Sequence, residues 1–257
     1  MKKTLFLILG LLLASSAYAA LRTETVAYKD GEAELEGFLA YDDAREGKLP
    51  GVLVFHEWKG LNEYAKKRAT MLAELGYVAF AADMYGKGVR AETHEEAAKL
   101  SSLYKEDRSL MRNRAKAALD FLASQERVNP DRIAAIGYCF GGTTVLEMAR
   151  AGFNLKGAVS FHGALDTPVP AKPGDIKTKV LVFHGANDEF TNPNVPAFME
   201  EMRKSGADWQ FVSFGGAVHS FTVPEAGSDP SKGMAYNEAA DRRSWQMMKA
   251  FFLEVLQ

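Results

Sequence analysis

The sequence holds one cysteine in 257 residues. That excludes an internal disulfide, the staple on which many exported folds depend. It has no basic excess: the formal charge is -2 at pH 7, so nothing suggests a partner with a phosphate backbone, and nucleic acid is not expected. It has no internal repeat and no low-complexity tract. No serine stands in a G-x-S-x-G frame. The pair His56-Glu57 opens like the zinc-protease motif H-E-x-x-H, but Gly60 occupies the place of the second histidine. The pair also leaves a strand rather than the middle of a helix, so two ligands would not share a face. Neither a metal nor a cofactor is expected.

A long apolar run is also missing. The stretch Leu5–Ala14 is about half the ~20 residues that a membrane-spanning helix needs. With Lys2 and Lys3 before it and Ala17-Tyr18-Ala19 after it, it reads as a secretory signal cleaved after residue 19. The expected mature chain is residues 20–257, one α/β domain in the bacterial periplasm, with no membrane attachment after cleavage. No cysteine follows the cut to carry a lipid. A monomer or small homo-oligomer is expected.

What is present alternates between strand-like and helix-like segments, which predicts an α/β fold: a mostly parallel central sheet with helices on both faces. Thr23–Tyr28 and Glu34–Tyr41 read as an antiparallel pair about the turn Lys29-Asp30-Gly31. Buried strands are expected at Gly51–Phe55, Tyr77–Ala81, Arg132–Tyr138, Gly157–Phe161 and Val180–Phe183, with a last strand at Asp208–Phe214. Helices are expected at 61–75, 92–104, 108–124, 143–151, 193–204 and 237–256. Asn129-Pro130-Asp131 reads as a turn, and residues 215–233 as a long loop rich in glycine, proline and serine. Loops of that length in compact domains are often functional.

The single cysteine lies in GYCFGG, residues 137–142, between a buried strand and a helix. At so sharp a strand-to-helix turn the central residue is strained and its neighbours two places away come close together, so only glycine fits there. This predicts a nucleophile elbow, G-x-C-x-G, with Cys139 at the carboxyl edge of the sheet, where open α/β sheets bind ligands. The helix start favours a thiolate, and the Phe140 N–H is free to hold a developing oxyanion. The plainer reading is a small buried hydrophobe packed between permissive glycines.

A cysteine nucleophile needs a base, and the base an orienting carboxylate. In α/β-hydrolases these follow in the order nucleophile, acid, histidine. Asp188 follows the strand VLVFHG, and His219 follows the strand ending at Phe214, so both can converge on Cys139. His184, His162 and His94 are expected to shape a turn, end a strand and sit on an exposed helix. His56 is expected near the site in a supporting place. Trp58, in the loop after the strand GVLVF, is expected to supply the second oxyanion N–H. Glu57 beside it either accepts the thiol proton, raises the thiol pKa by its charge, or is an ordinary solvated carboxylate.

The stretches HEWKGLNEY (56–64), LAELGYVAFAADMYGKG (72–88), GYCFGG (137–142), HGANDEF (184–190) and GGAVHSF (215–221) together resemble the dienelactone hydrolase family of the α/β-hydrolase fold. The resemblance implies a Cys139–His219–Asp188 triad with Glu57 close to the thiol, an oxyanion site from the Trp58 and Phe140 amides, and hydrolysis of a small ester or lactone through a thioester. It implies substrate contacts from Tyr85, Lys87 and Ser220. It also marks departures. Lys87 falls where an arginine that holds a substrate carboxylate is expected, and a lysine cannot make the bidentate fork. Val223 stands where a second arginine is expected. Two other classes remain: a non-catalytic binding protein on the same scaffold, and a thiol redox protein, against which the lack of a resolving cysteine counts.

Overall fold

The computed structural model describes residues 21–257; the expected signal segment lies outside the described residues. Eight strands form one sheet in the order β1-β2-β4-β3-β5-β6-β7-β8. β1 (Leu21–Asp30) pairs antiparallel with β2 (Ala33–Asp42), and β2 pairs antiparallel with β4 (Val78–Ala82). From β4 onward, through β3 (Leu49–Phe55), β5 (Val128–Tyr138), β6 (Gly157–Phe161), β7 (Lys179–Gly185) and β8 (Trp209–Phe214), all neighbours are parallel. The parallel strands β3 to β7 read as continuous apolar runs because helices cover both of their faces.

On one face α1 (Glu63–Glu74) and α6 (Glu238–Val255) bury Tyr64, Leu72, Trp245, Met248 and Phe252 against Val54, Ile136, Phe161 and Phe183. On the other face pack α2 (His94–Glu106), α3 (Arg108–Ala123), α4 (Phe140–Arg150) and α5 (Val195–Ser205), with Tyr104, Met111, Leu146 and Phe198 against Leu53, Phe80, Ile133 and Val182. Each such fully buried side chain contributes roughly 1.5–3 kcal/mol. The helix starts are written in the sequence. Asn62 caps α1 and Asn237 caps α6, while Thr93 and Glu96 form a capping box at α2, each cap contributing about 1 kcal/mol.

Two expectations need correction. Asn129-Pro130-Asp131 is not a turn before the strand; β5 begins at Val128, Asn129 pairs with Pro50, and residues 130–132 bulge opposite the Pro50/Gly51 step. Prolines at residues 50 and 130 cannot donate to the ladder, so pairing lapses there and resumes at Gly51↔Ile133. The helix after the cysteine starts at Phe140 rather than Thr143, directly after the elbow.

Candidate active site

The elbow forms because two glycines permit it. A Cβ on Gly137 would stand 2.0 Å from the Gly141 carbonyl oxygen, and one on Gly141 would stand 2.2 Å from the Phe55 carbonyl oxygen. Between them Cys139 is held at φ 52, with α4 starting at the next residue. Phe140 is therefore the first helical residue, and its N–H has no acceptor within the helix. Among the described residues, the non-glycines with positive φ are Cys139, His162 (φ 41) and Ser220 (φ 57). All three lie at the carboxyl end of the sheet. Strain of this kind persists only where the surroundings over-determine it.

His219 arrives on the loop after β8 and is fixed by an isolated bridge to Met234. Its Nε2 is 3.1 Å from the Cys139 Sγ, and its Nδ1–H donates to the Asp188 Oδ2 at 2.8 Å. Asp188, on the turn after β7, is fully buried, and its Oδ1 also accepts from the N–H groups of Phe190 and Thr191. Burial pushes the Asp188 carboxyl up, but His219 and Thr191 pull harder and leave it below its ordinary value. Burial disfavours a charged His219; the Cys139 sulfur and Asp188 more than offset this and raise it to about 10. Thiol, imidazole and carboxylate thus stand in a line along which a proton can leave sulfur and a positive charge on the ring is stabilised.

Glu57 is buried, and its Oε1 accepts from the Ser220 hydroxyl at 3.4 Å. Burial raises its carboxyl to about 7 against the opposing pull of His219 and Ser220. It is therefore not a solvated surface carboxylate. His56 supports it from behind: His56 Nε2 accepts from the Met84 N–H, so its Nδ1–H donates to the Glu57 carbonyl at 2.6 Å. Both ring nitrogens are taken by backbone, which leaves none for a metal.

Two cavities meet at the site. One, of about 420 Å³, exposes Cys139, Phe140, Thr143, His219, Lys105 and Arg108; the other, of about 690 Å³, exposes Glu57, Tyr64, Val223 and His94. Trp58, Ser220 and Met234 line both. Both volumes suit a small organic ligand.

Of the three residues expected to contact substrate, one, Ser220, lines the cavities. Tyr85 is buried beneath the loop, its hydroxyl donating to the Trp58 carbonyl at 2.9 Å, and it lines neither cavity. Lys87 is exposed and lines neither cavity. Its backbone N–H is tied to the Glu34 carbonyl, on a turn made by Gly86 and Gly88. The cations that reach the sulfur's cavity are Lys105 and Arg108, which flank the junction of α2 and α3 at Asp107. Nothing in a charge-rich helical stretch distinguished them. His94 is exposed at the start of α2, as expected, and its ring lies 5.3 Å from that of Trp58. His162 directly follows β6, as expected of a residue that ends a strand; Phe-His closes three of the parallel strands, at 55–56, 161–162 and 183–184.

Residues 35–256 match the model of the dienelactone hydrolase family. Protein usf of Aquifex pyrophilus is 30% identical over 214 residues, 80% of this chain and 89% of that one. A Bradyrhizobium protein described as a probable 2-oxo-3-(5-oxofuran-2-ylidene)propanoate lactonase is 28% identical over 214 residues, 77% of this chain and 86% of its own length. The crystal structure of the dienelactone hydrolase-like promiscuous phosphotriesterase P91, from metagenomic libraries, matches with a TM-score of 0.86 and 41% identity, over 93% of this chain and 100% of that one. With the family's pattern matched across the sheet and the loops that carry Cys139, Asp188 and His219, the chain belongs to the dienelactone hydrolase family and is an ester or lactone hydrolase of the α/β-hydrolase fold.

Proposed function

We propose that the chain cleaves a small ester or lactone through a thioester on Cys139, and that it does so in the periplasm after loss of residues 1–19. The observation that carries this reading is the imidazole of His219, 3.1 Å from the sulfur on one side and 2.8 Å from Asp188 on the other. His219 takes the thiol proton, and the thiolate attacks the carbonyl carbon. The carbonyl oxygen, now negative, is held by the Phe140 N–H at the start of α4 and by the Trp58 N–H. As the C–O bond breaks, His219 gives its proton to the leaving alkoxide. It then draws a proton from water, the hydroxide attacks the thioester, and the acid leaves as the proton returns to sulfur. Asp188 holds the ring in the tautomer that this sequence needs.

Arg108 bears on the substrate class. It lines the sulfur's cavity and is only 5% exposed; its Nε makes no hydrogen bond and stands 3.9 Å from the buried Glu147 carboxylate. Its NH2 reaches the Asp166 carbonyl at 3.3 Å and the Asp166 carboxylate at 3.5 Å, and that carboxylate is 56% exposed. Burial lowers its pKa more than its acidic neighbours raise it. Lys105 and Arg108 against the single acid Asp166 leave this cavity wall with a net positive charge, which favours an acyl group that carries negative charge over a neutral one.

Replacing Cys139 with Ala tests the reading. Turnover of p-nitrophenyl esters should fall by about three orders of magnitude or more, with the circular dichroism unchanged. A folded variant that kept most of the wild-type rate would remove Cys139 from the chemistry.

A further inference from the structure

Cys139 and His219 sit on separate loops, one ending β5 and the other following β8, so some element must fix the distance between them. A buried polar chain joins the two. His162 Nδ1 accepts from the Cys139 backbone N–H at 3.1 Å, an N–H that it shares with the Phe161 carbonyl at 3.0 Å. That assigns the ring's remaining proton to Nε2, which donates to the Thr222 Oγ1 at 2.7 Å. The Thr222 hydroxyl then donates to the Tyr64 oxygen at 2.6 Å. Tyr64 donates to the Thr222 carbonyl at 3.2 Å. Arg68 closes the chain: its Nε donates to the Tyr64 oxygen at 3.2 Å, and its NH2 donates to the Thr222 carbonyl at 3.1 Å and to Asp241 on α6 at 2.5 Å. His162, Thr222, Tyr64 and Arg68 are all buried.

Thr222 is three residues past His219, and His162 packs edge-on against the His219 ring, with centroids 5.4 Å apart. His162 also packs against Phe221 and Tyr138. Its positive φ shows that the backbone is held in this arrangement at a cost. Burial and the neighbouring His219 and Arg68 all oppose a second proton on His162, which agrees with a ring whose two nitrogens are already committed.

We propose that His162 is a positioning residue: it grips the nucleophile elbow with one ring nitrogen and the His219 loop, through Thr222, with the other, and so sets the sulfur-to-imidazole geometry. This rests on the roles given above to Cys139 and His219.

The test reads the thiol directly and needs no ester. The rate of Cys139 alkylation by iodoacetamide is followed against pH in wild type and in His162→Leu, His162→Asn, Thr222→Val and His219→Ala. Leucine removes both bonds, and alkylation at about pH 6 should fall about ten-fold or more. Asparagine tolerates the left-handed backbone and offers an oxygen where Nδ1 stood, so it should recover to within about three-fold of wild type. Thr222→Val should shift the profile in the same direction as leucine, and adding it to His162→Leu should produce little further change, because both cut one chain. A folded His162→Leu with the wild-type profile overturns the proposal. Should leucine fail to fold, a Thr222→Val profile identical to wild type overturns it instead. A His219→Ala profile identical to wild type would defeat the Cys139–His219 reading and this one with it. If His219→Ala shifts the profile and the His162 and Thr222 variants do not, only the positioning role fails.

Discussion

Glu57 shows how burial alone changes what a side chain can do. Its carboxyl is raised from 4.5 to about 7, with burial the largest cause. Between those two values the folded protein holds a proton that the unfolded chain has lost, so stability falls as pH rises through that window and stays lowered above it. Glutamine has the shape of the protonated acid and no such penalty. Glu57→Gln should therefore match wild type in melting temperature near pH 4.5 and exceed it at about pH 8, by at most about 3 kcal/mol in stability. Thermal melts of both proteins at the two pH values check this. A second residue-scale expectation concerns Arg108. Arg108→Gln should raise KM for a p-nitrophenyl ester with a terminal carboxylate by about ten-fold, and leave KM for the neutral ester of equal length within about two-fold. Equal effects on both esters would show that the cation does not read substrate charge.

At the scale of elements, the strand-to-helix junction carries the site. Gly137→Ala would press a methyl group against the α4 backbone, whereas a Cβ on Gly215 meets nothing within 4 Å. The first change should cost about 4 kcal/mol or more or prevent folding, and Gly215→Ala should stay within about 0.5 kcal/mol; urea titration of the pair measures the difference. This junction was legible in the sequence because the steric demand is local: two glycines, a strand before and a helix after. Asp188 and His219 were legible for a similar reason, each being a polar residue just past an apolar run. Tyr85, Lys87 and Arg108 were not. Where they end up depends on how the Gly86–Gly88 turn docks on Glu34 and how α2 meets α3 at Asp107, and such packing between distant segments leaves no pattern along the chain. The bulge at Pro130 was misread because a proline in a parallel strand looks like a terminator until its partner, with Pro50 at the same level, is known.

For the whole molecule, the face that bears α3, α4 and α5 is tied together by charge inside the core. Glu147 on α4 is fully buried; Arg112 gives it two bonds, of 2.7 and 3.0 Å, and Arg150 gives it one of 3.0 Å. Arg150 continues to Glu201 on α5 at 2.8 Å. Removing one partner of a buried cluster leaves uncompensated charge, so Glu147→Gln should destabilise the protein by about 3–5 kcal/mol, read by denaturant unfolding. Arg108 stands at the edge of the same cluster, which links the core of this face to the wall of the sulfur's cavity. The account as a whole turns on a covalent bond to one sulfur. Mass spectrometry of the protein quenched during turnover of a lactone and ester library measures that bond. The account predicts a mass gain equal to the acyl group, carried by the peptide that contains Cys139 and absent from Cys139→Ala. An acyl group on any other residue, or rapid turnover by a wild-type protein that Cys139→Ala matches, would contradict it.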